Sequence, residues 1–134
     1  MTRKEAREQA FILIFEKMLN GNDISEIIEA AKECRDFMAD DDGYVEKVFN
    51  GVYENIDDID TYISSNLSGW TIERISRVSL ALLRLAVFEM KYMDEIPSAV
   101  SIDEAVELCK KYSTNDDASF VNGVLGSVVK AMQA

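Results

Sequence analysis

Histidine is absent from this chain. Its absence removes the histidine-based acid–base and triad mechanisms. Cysteine occurs twice, as Cys34 and Cys109. The two are isolated, and each falls on a helical apolar face, so they read as buried free thiols and not as a disulfide or a metal site. No phosphate-cradling glycine loop, no GxGxxG and no GxSxG occurs, so the common nucleotide-binding and nucleophile-elbow chemistries lack their backbone. No apolar stretch approaches the length that spans a bilayer. The first residues are charged, and the nearest apolar run, Phe11 to Phe15, is too short for a secretory signal. These absences point to a cytoplasmic protein, with no cofactor and no enzyme chemistry expected. The one proline, Pro97, suits the turn before a helix, because its ring fixes φ and it lacks an N–H.

What is present is an ordinary globular composition, 48% hydrophobic and 29% charged over 134 residues, enough for one domain with a sizeable core. Bases are few. Fourteen Lys and Arg stand against twenty-five Asp and Glu, a net charge of −11, which looks hostile to nucleic acid. The distribution alters that picture. Residues 20–62 hold thirteen acids and three bases, a balance of −10, so the remainder is close to neutral with local basic clusters.

Along the chain the apolar periodicity is helical throughout, and no segment alternates over a strand's length. Residues 3–19 form a first helix with Ala6, Ala10, Leu13, Ile14 and Met18 on one face. Arg3, Lys4 and Arg7 crowd its start, where positive charge opposes the helix dipole. They are either a solvated basic terminus or an edge that contacts phosphates. Glu5 and Glu8 dilute them to a net +1 over residues 1–10. Ile24, Ile27, Ile28, Ala31, Cys34 and Met38 make a second stripe. Asp40, Asp41, Asp42 and Gly43 follow as a turn. A calcium loop with Gly43 at its sixth position would put Met38 and Phe49 where carboxylates are required, and is rejected. Val45 to Leu67 reads as one long helix, or two with a bend near Asp57, closed by Ser68 and Gly69 as a C-terminal cap.

Trp70 and Thr71 open the second half. The next helix is apolar on several sides, with Glu89 the polar exception, and is therefore central. Arg77, Arg84 and Lys91 recur every seven residues along one side, with Arg74 just before. They either pair with acids such as Glu104 or form a second phosphate-facing strip. After Pro97, Ser101 and Glu104 have capping-box spacing. Ser113 to Asp117 is a polar break offering Asn115 or Asp116 as the next N-cap. The last helix carries Asn122 and Gly123 within its apolar pattern. Either Gly123 marks a close helix–helix approach, with Asn122 bonded to a neighbouring loop, or Phe120 and Asn122 sit at a binding surface.

The stretches Ile96-Pro97, Val100 to Leu108 and Phe120-Val121-Asn122-Gly123-Val124-Leu125, with Trp70, Arg74, Leu82 to Ala86 and Glu89 before them, resemble the NusB family of bacterial transcription antitermination factors. Arg3-Lys4-x-Ala6-Arg7 is similar to the family's arginine-rich motif. The resemblance implies an all-α fold of about six to seven helices over 1–134, in two packed halves, 1–68 and 69–134. It implies binding of boxA RNA together with NusE, a small-subunit ribosomal protein, within the RNA polymerase antitermination complex. Arg3, Lys4, Arg7 and Phe120 are then RNA-binding candidates, and Asp116 and Asn122 partner-binding candidates. The alternative is an all-helical interaction module without RNA binding. A methyltransferase, to which related helical domains can be attached, has no room in this chain.

Overall fold

The computed structural model describes residues 1–33 and 42–133. Among the described residues there are seven α-helices and no strand: α1 (Arg3–Asn20), α2 (Ile24–Glu33), α3 (Tyr44–Glu54), α4 (Ile56–Ser64), α5 (Arg77–Tyr92), α6 (Ser98–Tyr112) and α7 (Asn115–Gln133), with a 3₁₀ turn at Ile72–Arg74 between α4 and α5. The all-α expectation is met. Cys34, Met38, Asp40 and Asp41 lie outside the described residues. No described helix is long and apolar enough to cross a membrane.

The helix ends correct several sequence expectations. The capping box lies at the start of α1: the Thr2 hydroxyl accepts from the Glu5 N–H, and the Glu5 carboxylate accepts from the Thr2 N–H at 2.8 Å. Ser101 does not cap α6. That helix already begins at Ser98 behind Pro97, which leaves Ser101 in its second turn and buried. Pro97 itself stands at the N-cap with φ −60°, where a missing N–H costs nothing. The cap of α7 is Thr114, whose hydroxyl accepts from the Asp117 N–H at 3.0 Å. The bend expected near Asp57 falls at Asn55, whose amide donates to the Gly51 carbonyl at 2.8 Å. The helix expected to run to Leu67 stops at Ser64. Gly69 instead shapes the following loop with φ +78°, a conformation that glycine adopts without steric penalty.

α5 is the centre. Leu80 to Phe88 is buried apart from Arg84, and the helix packs against α1, α3, α4, α6 and α7. One continuous cluster of buried side chains runs from Ala6 on α1 to Val128 on α7. α3 can lie close on α5 because Gly51 presents no side chain there: a Cβ would overlap the Phe88 ring. The close-approach glycine is therefore Gly51. Gly123, which the sequence suggested for that part, has nothing within 4 Å of its Cβ position. Tyr53 adds a polar tie, donating to the Ile14 carbonyl of α1 at 2.9 Å. Burial pushes its phenol up to about 12.

The polar exception on α5, Glu89, is fully buried and satisfied from three other helices. Its Oε2 accepts from Arg7 Nε of α1 at 2.8 Å and from the Tyr44 hydroxyl of α3. Its Oε1 accepts from the Ser101 hydroxyl of α6 at 2.8 Å. Arg7, Tyr44 and Ser101 are themselves buried. Burial alone would lower the Arg7 guanidinium's pKa, but its bond to Glu89 and that residue's charge more than offset this and raise it. Burial, and then the Glu89 charge, push the Tyr44 phenol far up, so it remains a donor. A buried ion pair gains little over an apolar replacement, but losing one partner strands a charge.

Arg7→Ala should lower the unfolding free energy by about 3–5 kcal/mol, because Glu89 is left without its cation; an unchanged urea midpoint would contradict the network. Gly51→Ala should cost roughly 1–3 kcal/mol through overpacking against Phe88, again read as a lower midpoint with the helical circular dichroism retained.

Candidate nucleic-acid and partner interface

The first exposed turn of α1 carries Arg3 and Lys4. The Arg3 guanidinium stands 4.4 Å over the Tyr44 ring and 3.2 Å from the Asp42 carboxylate. Lys4 is 70% exposed, and its ammonium lies 3.4 Å from Glu104 of α6. One turn further along α1, Glu8 accepts from Lys111 of α6 at 2.6 Å and from the Tyr112 hydroxyl. Hydrogen bonds from Lys111 and then Tyr112 hold the Glu8 carboxyl below its usual range, and the same bond raises the Lys111 ammonium. The seam between α1 and α6 thus presents Lys4 and Lys111, each beside one carboxylate, and Arg3 stands next to them on the α3 side of α1.

Arg7 is not part of this surface. Proximity in sequence groups it with Arg3 and Lys4, but its side chain is 3% exposed and its Nε is spent on Glu89. A helix advances about 5.4 Å per turn, so Arg7, one turn beyond Arg3, lies past the rim and inside the core. Lys111 escapes sequence reasoning for the opposite reason: it lies about a hundred residues from α1 along the chain, and only the packing of α1 and α6 side by side on α5 brings it to Glu8.

A groove of about 430 Å³ lies between the 3₁₀ turn, the start of α5 and the start of α7. Trp70, Ile75 and Phe120 supply its apolar lining, and Arg74, Asp116 and Asp117 its charge. Trp70 is 53% exposed and meets Phe120 edge-on, with ring centroids 6.3 Å apart at 70°. Asp117 is already engaged, accepting from the hydroxyls of Ser76 at 3.1 Å and of Ser113. Asp116 is exposed. A second groove, of about 400 Å³, opens on the other side of Trp70, with Asp60, Leu67, Ile72 and Glu73 in its wall. Trp70 therefore stands between two acid-edged depressions, the first mainly apolar and the second mainly polar. In the sequence Trp70 marks a boundary and a position of the family resemblance, but not a site. The available hint is a lone tryptophan after glycine in a polar loop, outside any helical stripe.

Phe120 and Asp116 thus share one groove. Asn122 does not join them. It faces the cleft between α6 and α7, about 420 Å³, beside Val106, Lys110, Asn115, Ala118 and Ser119. The basic series on α5 is divided as well. Arg84 forks onto Asp60 at 2.9 and 2.8 Å, and Lys91 lies 2.6 Å from Asp58. Their acids come from α4, and Glu104 pairs with Lys4 instead. Arg74 and Arg77 remain exposed at the helix's N-terminal approach.

A family model described as the NusB family matches residues 4–130. The transcription antitermination protein NusB of Clostridium novyi (strain NT) is 41% identical over 133 residues, covering 98% of this chain and 100% of its own length. Among solved structures, T. maritima NusB is similar with a TM-score of 0.87 and 31% identity, over 97% of this chain and 92% of that one. A crystal structure of the antitermination factors NusB and NusE in complex with double-stranded RNA is similar with a TM-score of 0.86 and 31% identity, over 96% of both chains. With sequence and fold matched along almost all of its length, the chain belongs to the NusB family.

Proposed function

We propose that this protein is a transcription antitermination factor that binds boxA-containing RNA jointly with NusE, in the cytoplasm, as part of the RNA polymerase antitermination complex. It works by binding and carries out no reaction of its own. The observation that carries this reading is the match, in fold and along 96% of both chains, to a NusB solved with NusE and double-stranded RNA.

The surface chemistry supports a division of labour. Arg3 and Lys4 are exposed cations whose present carboxylate partners a phosphate can replace, since exposed pairs of this kind are worth only about 0–1 kcal/mol. Phe120 and Trp70 offer aromatic edges and faces to an unstacked base. Asp116 at the same groove, and Asn122 at the α6–α7 cleft, are assigned to the partner. The acid-edged depressions around Trp70 suit a protein presenting apolar and basic side chains, because charge complementarity steers encounter and fixes register. Arg7 serves this function only indirectly, by holding Glu89 and with it the seating of α1.

A chain of net charge −11 meets long-range repulsion from RNA, so a partner has to contribute contacts. NusE should therefore tighten RNA binding, and by linkage RNA should tighten NusE binding by the same factor, with a coupling of roughly 1–3 kcal/mol. Titration calorimetry of the three pairings measures this. Equal RNA affinity with and without NusE, or no NusE binding, would favour the interaction module without RNA. Replacing Arg3 and Lys4 together by alanine should weaken boxA and unrelated RNA alike, and should lower the salt slope by about one for each phosphate no longer neutralised. The double variant should be destabilised by less than about 2 kcal/mol, since it removes two exposed pairs. Undiminished RNA binding by the folded variant would remove these residues from the interface.

A further inference from the structure

Lys111 stands on the same α1–α6 seam as Lys4, yet no basic motif of the sequence includes it. We propose that Lys111 is a further phosphate contact of the RNA surface, and that Glu8 is the carboxylate it leaves to make that contact. Glu8 then acts as a built-in competitor that weakens RNA binding. The proposal rests on the RNA-binding reading of the chain.

Three observations carry it. First, position: Glu8 follows Lys4 by one helical turn, so the two are neighbours on α1, and Lys111 lies 2.6 Å from Glu8. Lys4 and Lys111 therefore flank one carboxylate, and a backbone that reaches Lys4 passes within range of Lys111. Second, access: the Lys111 side chain is 61% exposed, whereas the adjacent Lys110 turns to the α6–α7 cleft and lies 3.8 Å from Glu107. Third, the exchange leaves nothing unsatisfied. Glu8 also accepts from the Tyr112 hydroxyl, and the Tyr112 ring is fixed against Phe11, with centroids 5.1 Å apart. When Lys111 swings to a phosphate, Glu8 keeps the Tyr112 hydroxyl as its donor. An exposed pair is weak and screened, while a phosphate contact releases a counterion from the RNA, so the exchange favours the phosphate at low salt.

The two partners consequently have opposite effects, which a merely structural ion pair would not show. Binding of a fluorescent boxA RNA oligonucleotide by the chain with NusE is followed by anisotropy across a salt series. Lys111→Gln should weaken binding several-fold and lower the salt slope by about one. Glu8→Gln, which keeps an acceptor for Tyr112, should tighten binding several-fold. Both substitutions are at the surface, and thermal melts verify that each variant is folded. Unchanged affinity in both variants, or weakening in both, overturns the inference. Binding by the unsubstituted chain that Lys111→Gln leaves intact overturns this inference alone. Absence of binding by the unsubstituted chain overturns the RNA reading and this inference with it.

Discussion

A single buried carboxylate organises the arrangement of helices. Glu89 sits at the last full turn of the central helix, and its two oxygens are shared among Arg7, Tyr44 and Ser101. Those three donors come from α1, α3 and α6, so one side chain sets where three neighbours stand against α5. Hydrophobic contact alone does not do this. Apolar packing sets register less sharply, because a volume-conserving rearrangement of a core costs less than a stranded buried charge. A buried carboxylate sets it more sharply, because any register that misses a donor leaves a charge or a hydroxyl unpaired in a medium where that is expensive.

The exposed cations inherit their places from that constraint. Arg7 fixes the rotation of α1 about its axis. Lys4 and Glu8, three residues before and one after, are thereby turned toward α6, and Arg3 toward Tyr44 and Asp42. Tyr44 connects the two levels: its hydroxyl lies on Glu89 inside, and its ring lies under the Arg3 guanidinium outside. The basic edge is thus the outer end of a polar network whose inner end is in the core. A substitution in the core can alter the surface without touching it.

The helices were legible in the sequence because each buries a stripe, and a stripe is a local property of spacing. Their ends were less so. The capping expected from Ser101 and Glu104 has the right spacing, but Pro97 starts the helix earlier, and Ser101 has a better use inside. Glu89 stood out as a polar residue on an apolar face, but its partners lie 82, 45 and 12 residues away, and no local pattern names them. The same blindness groups Arg7 with Arg3 and Lys4. Charge counted along the chain does not tell a cation that faces solvent from one consumed by a buried acid. Glycine is misjudged in the same way: Gly51 and Gly123 each interrupt an apolar helix, and only the position of Phe88 shows which of them a neighbour requires.

Net charge is equally uninformative until it is paired off. Among the described residues, the acids of α4 neutralise Arg84 and Lys91, and Asp42, Glu104 and Glu8 lie beside Arg3, Lys4 and Lys111. Most bases therefore face an acid within the chain, and the surplus acidity is left over the remaining surface. Such a surface discriminates. Under the proposed function, a polyanion meets net repulsion over most of this surface, and at Lys4 and Lys111 it has to displace carboxylates held by weak, screened pairs. On that reading, contact is favourable where several cations are engaged at once and where a second protein adds its own. Weak pairing of each cation, in a molecule that is acidic overall, would make the proposed binding conditional on register and on the partner. A strongly basic surface could not impose that condition, because it would hold any RNA at any register.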